Sequence, residues 1–165
     1  MKAAVIGIGV IGKVHLEVLA RLNIRVTAVC DTDENKIKNL QGVKKYADYR
    51  KMIDEGDFDV VHICTPHYLH VPMAIYSLER NINVFMEKPP AISFDQLEEL
   101  KKAAAKSDAQ LGFCYQNRYN ASIRAAKDLI DSGKAGKVLG ARAFVTWCRG
   151  AAYYTESGWR GSLKT

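Results

Sequence analysis

Gly7, Gly9 and Gly12 close an apolar N-terminal run, and Asp31 closes a second apolar run nineteen residues past the last of them. Each glycine has its own use in holding a diphosphate. Gly7 allows a tight turn off a strand, Gly9 lets the backbone approach the ligand, and Gly12 lets the following helix pack against the sheet. With Ile8, Val10 and Ile11 between them, they would set a diphosphate at a helix N-terminus, where free N–H groups and the helix dipole favour negative charge. Asp31 would accept hydrogen bonds from the adenosine ribose hydroxyls while repelling a 2′-phosphate, so the pattern points to NAD rather than NADP as cofactor. The plainer alternative for Asp31 is an N-cap for the segment beginning at Asp33.

More candidates follow other apolar runs, and in open α/β sheets ligands bind beyond the carboxyl ends of the strands. Thr65, Pro66, His67 and His70 stand after one such run. His67 and His70 could share a helix face and hold a metal. No third ligand stands at a suitable spacing, so no metal site is expected and a cofactor-facing or capping role is preferred. His15, in a helical stripe, and His62, inside a strand, read as packed residues. Glu87 and Lys88 precede Pro89 after another run. An unprotonated lysine there could take a proton from an alcohol, a charged one could polarise a carbonyl, and an exposed ion pair is the plain alternative. Gln116, Asn117 and Arg118 crowd a further strand end. They could hold a polyhydroxylated substrate or the nicotinamide ribose, or line a hinge.

Such residues need a scaffold that gathers strand ends. Ile11, Val14, His15, Val18, Leu19 and Leu22 recur at the spacing of an amphipathic helix. Residues 24–30, 60–64, 84–86 and 111–115 read as strands, with a shorter one over 43–46. Helices are predicted over 33–40, 49–54, 71–80 and 94–106. Ser93 and Gln96 have the spacing of a capping box, and Ile92 and Leu97 that of a hydrophobic staple. The alternation predicts an α/β fold, a doubly wound parallel sheet forming a dinucleotide-binding Rossmann domain over 1–120. A helix from 119 then runs to Gly133 as its cap, and residues 138–147 alternate like a strand of a half-exposed antiparallel sheet. Residues 121–165 therefore read as the start of an incomplete second α/β domain.

Composition narrows the class. The chain has 165 residues, 48% hydrophobic, and a formal net charge of +6. Its basic residues are scattered, which favours a solvated surface over a nucleic-acid partner. The longest apolar stretch is broken by glycines and falls far short of the roughly twenty residues that span a bilayer, so no membrane partner is expected. No cleavage site of a secretory signal follows it. Cys30, Cys64, Cys114 and Cys148 are widely spaced within or at the ends of strand-like runs, which reads as buried reduced thiols and a cytoplasmic location.

Taken together, Gly7-Ile8-Gly9-Val10-Ile11-Gly12, Thr65-Pro66-His67-Tyr68-Leu69-His70, Glu87-Lys88-Pro89 and Arg118-Tyr119 resemble the motifs of the Gfo/Idh/MocA family of dinucleotide-dependent oxidoreductases. The resemblance covers essentially the whole chain. It implies hydride transfer between NAD(P) and a hydroxyl-bearing carbon of a small-molecule substrate such as a sugar, inositol or related polyol. It gives Lys88 the catalytic lysine role and places Trp159 and Arg160 in a loop reaching toward the cofactor. Family members are much longer, with a second domain whose open antiparallel sheet commonly makes a homo-oligomer. The expectation is thus a truncated chain that binds NAD with little or no turnover. The alternative is a non-catalytic NAD-binding module that offers the strand over 138–147 to a partner.

Overall fold

In the computed structural model, residues 1–155 are described. The chain divides into two compact units, Met1–Cys114 and a second beginning at Tyr115, ahead of the boundary expected near 120.

The first unit is built on a six-stranded sheet: β1 (Lys2–Ile6), β2 (Arg25–Cys30), β3 (Lys44–Tyr46), β4 (Val60–Ile63), β5 (Asn83–Glu87) and β6 (Leu111–Cys114). The strand order is β3-β2-β1-β4-β5-β6, and every pair is parallel. This is the doubly wound Rossmann arrangement, with its switch point between β1 and β4. Helices α1 (Val10–Arg21), α2 (Tyr49–Glu55), α3 (His70–Leu78) and α4 (Phe94–Lys106) connect the strands.

Both faces of the central strands are covered, so alternate residues feed two cores. Ala4 and Ile6 of β1 join Ala28, Val61, Ile63, Leu78, Val84, Met86 and Leu100 on one side. Ala3 and Val5 join Ile8, Leu19 and Val29 on the other. Burying a side chain such as Ile6 or Ile63 contributes about 1.5–3 kcal/mol. On the second side, α1 buries only Gly12, His15 and Leu19. Val14, Val18 and Leu22 of the expected stripe lie on a neighbouring line of the helix and stay substantially exposed. The sequence stripe was wider than the contact.

Several expected elements change form. The helix over 33–40 is a single 3-10 turn, Glu34–Lys36, capped by Asp33. The helix cap at Ser93 accepts from the Gln96 N–H, but Gln96 Oε1 accepts from the Ile92 N–H rather than from that of Ser93. In the second unit, α5 (Ala121–Asp131) forms and Gly133 follows it at φ +72°. A short α6 covers Ala151–Thr155. The strand over 138–147 does not form, because no neighbour among the described residues satisfies its backbone groups and an isolated strand has nothing to stabilise it. Cys30 and Cys64 are buried as expected, whereas Cys114 is only partly covered and Cys148 is exposed. Burial with Asp31 and Asp48 nearby pushes the Cys30 thiol up to about 12.

Candidate functional site

The carboxyl ends of β1, β2, β4 and β5 converge on the turn between β1 and α1. Gly7 takes φ +87°, and a Cβ there would lie 2.8 Å from the Cys64 carbonyl oxygen. Only glycine suits both the dihedral and the space. A Cβ on Gly12 would lie 1.9 Å from the Gly7 oxygen, so this residue sets how closely α1 meets the turn. Gly9 is different. It caps α1 in an extended conformation, no side chain caps the helix, its first turn holds no acid, and nothing lies within 4 Å of where a Cβ would stand. The first N–H groups of this twelve-residue helix thus have no side-chain cap, an arrangement that suits a diphosphate.

Asp31 is buried and ties this turn to β2. Its Oδ2 accepts from the Ile8 N–H at 2.7 Å, and its Oδ1 accepts from the Asp33 N–H at 2.9 Å and from Lys36 Nζ at 3.2 Å. The capping role weighed for Asp31 falls to Asp33, whose side chain accepts from the Asn35 N–H. Lys36 on the carboxylate was not foreseen, because the segment was expected to be helical.

After β4, Thr65 stands beside the glycine turn and Pro66 leads into a 3-10 turn over His67–Leu69. The His67 imidazole is held below its usual range by burial, then by the His70 ring and the Lys88 ammonium nearby. His70 itself is 0% exposed, with Nδ1 2.8 Å from the Pro89 carbonyl and Nε2 2.9 Å from the Thr65 carbonyl. These contacts give His70 a structural role beside the cofactor-facing one expected for it. With no exposed surface and both nitrogens against backbone oxygens, His70 fastens the β4 and β5 ends together.

Glu87 and Lys88 part company at the end of β5. Lys88 is exposed and joined to Pro89 by a cis peptide, whereas Glu87 is turned inward and 5% exposed. The surface ion pair weighed for these two residues is therefore absent. Strand alternation points the Glu87 side chain to the α1 face. There Glu87 Oε1 lies 3.1 Å from His15 Nε2, and His15 Nδ1 lies 2.9 Å from His62 Nδ1. Burial pushes the Glu87 carboxyl up, but hydrogen bonds from His15 and Cys114 outweigh it and hold the group below the usual carboxylate range. His62 is pushed down to about 4 by burial and by His15.

The glycine turn, Asp31, Thr65, His67, His70, Glu87 and Lys88 thus lie at one end of one sheet. Gln116 and Arg118 belong to the second unit, in an exposed 3-10 turn over Gln116–Tyr119. Trp159 and Arg160 lie outside the described residues. The cluster of His15, His62, Glu87 and Cys114 escaped sequence reasoning, although a histidine on the buried line of α1 was a signal of it.

The family described as "Oxidoreductase family, NAD-binding Rossmann fold" (GFO_IDH_MocA) matches residues 1–115. The chain belongs to the Gfo/Idh/MocA family. Among Gfo/Idh/MocA relatives, an inositol 2-dehydrogenase of Salmonella paratyphi B is 34% identical over 149 residues, 84% of this chain and 44% of the relative. A D-glucoside 3-dehydrogenase of Escherichia coli is 27% identical over 96% of this chain and 46% of its own length. The WlbA dehydrogenase of Chromobacterium violaceum, solved with NADH and UDP-GlcNAcA, superimposes with a TM-score of 0.90 at 30% identity, covering 98% of this chain and 48% of that one. The chain spans less than half the length of these relatives.

Proposed function

We propose that this chain carries the cofactor-binding half of an NAD-dependent dehydrogenase acting on a hydroxyl-bearing carbon of a sugar, inositol or related polyol. The observation that carries the reading is the exposed Lys88 at the end of β5, on the same sheet end as the open helix N-terminus at Gly9. The sugar and inositol dehydrogenases among the relatives support the substrate class.

Bound nicotinamide would supply the hydride acceptor or donor. Gly9 and the first N–H groups of α1 hold the diphosphate, and the Asp31 carboxylate receives the adenosine ribose. That carboxylate repels a 2′-phosphate, while Lys36 Nζ at 3.2 Å offsets part of its charge, so NAD is preferred over NADP by a reduced margin. Lys88 takes the substrate hydroxyl proton when the alcohol is oxidised and returns it in the reverse direction. His70 and Glu87 hold the backbone on either side of that lysine through Pro89 and His15.

Cofactor binding is tested on these 165 residues, and turnover on a chain of the relatives' length. Saturable NADH fluorescence enhancement, with weaker binding of NADPH, is the expected result. A folded chain that shows no saturation with either cofactor at millimolar concentration overturns the proposal.

A further inference from the structure

We infer that His15, Glu87 and Cys114 form a binding site for one zinc-like divalent cation, with His62 as the outer partner of His15. The three residues come from α1, β5 and β6, and one donor atom from each lies within 4.8 Å of the others. Two of those atoms are 3.1 Å apart. A point about 2.5 Å or less from all three therefore exists, against zinc bonds of about 2.0–2.3 Å, so small side-chain movements complete the bonds.

The donor chemistry selects the ion. A thiolate, an imidazole and a carboxylate suit zinc or cobalt, whereas magnesium and calcium require more ligands, all of them oxygen. Binding releases the Cys114 thiol proton, and the formal charges of thiolate, carboxylate and dication then cancel, as a buried site demands. Ion binding replaces the hydrogen bond between His15 Nε2 and Glu87; with its ring proton then on Nδ1, His15 donates to His62 Nδ1, 2.9 Å away. Metal-bound histidines nearly always have such an outer hydrogen bond. Three protein ligands leave a fourth position for water. The ion would fasten α1 to the strand ends immediately before Lys88, independently of cofactor binding.

Cobalt(II) is the probe, added to the full chain after treatment with a chelator. One equivalent should saturate the protein and produce a thiolate-to-cobalt charge-transfer band that zinc abolishes by displacement. Cys148→Ser, which removes an exposed thiol, should keep the band, and Cys114→Ser should lose it. His62→Phe should weaken cobalt affinity by about 10–100-fold. Should Cys114→Ser fail to fold, alkylation of the wild-type chain decides the matter. Zinc should slow labelling of Cys114 but not of Cys148, and equal labelling with and without zinc overturns the inference. So does the lack of a saturable band in the wild type, or a band that disappears with Cys148→Ser and survives Cys114→Ser.

Discussion

Alanine at Gly12 and alanine at Gly9 should fail in opposite ways, although the two glycines share one turn. At Gly12 the added carbon would sit 1.9 Å from the Gly7 oxygen and 2.9 Å from the Gly7 carbonyl carbon, with the Cys64 Cβ 3.7 Å away on another side. Non-bonded heavy atoms need roughly 3.5 Å, so α1 must withdraw by more than an ångström. Gly12 lies on the same buried line as His15 and Leu19, and the shift is felt along the helix. The cost is about 3 kcal/mol, the upper end for overpacking. For a domain of this size that lowers the melting temperature by roughly 10 °C. At Gly9 nothing lies within 4 Å, and φ −78° with ψ −159° is open to alanine, so stability changes by no more than about 0.5 kcal/mol. The methyl would instead occupy the approach of the diphosphate and raise the NADH dissociation constant at least tenfold, about 1.4 kcal/mol. Thermal melts and NADH fluorescence titrations on both variants separate the effects. A Gly9→Ala chain that binds NADH as tightly as wild type refutes the diphosphate placement, and an unshifted Gly12→Ala melt refutes the packing argument.

Other perturbations probe the remaining residues. Lys88→Met should leave NADH affinity within about twofold and reduce turnover in a chain of the relatives' length by about 10²-fold or more, measured by steady-state kinetics. Asp31→Ala removes the acceptor for the Ile8 and Asp33 N–H groups and should cost about 2–3 kcal/mol in urea unfolding, while narrowing the preference for NADH over NADPH in fluorescence titrations. His62 titrates at about 4 in the folded chain against 6.5 ordinarily, so the unfolded state binds more protons between those values. Stability of the metal-free chain should then rise with pH across that window and be lost as pH falls through it. His62→Phe should remove a change on the order of 2 kcal/mol from pH-dependent melts.

The sequence by itself determined the sheet and the glycine turn, because both rest on local signals. Gly7, Gly9 and Gly12 at fixed offsets, apolar runs of strand length and the Ser93 cap each act over a few residues, and they located β1, α1, β4, β5 and α4 well. Lys88 was legible for the same reason, since it directly follows a strand. Where local pattern competes with partners far along the chain, the reading failed. The alternation over 138–147 predicted a strand, but a strand requires a neighbour to complete its hydrogen bonds. The apolar line of Val14, Val18 and Leu22 predicted burial, but the width of the contact under α1 depends on the sheet beneath it. Only the tertiary structure turned Glu87 away from Lys88 toward His15, placed His70 between two carbonyls, and gathered His15, His62, Glu87 and Cys114 from four separate elements. Side-chain direction at a strand end depends on which face is covered and by what, and that is fixed by packing between residues distant in sequence.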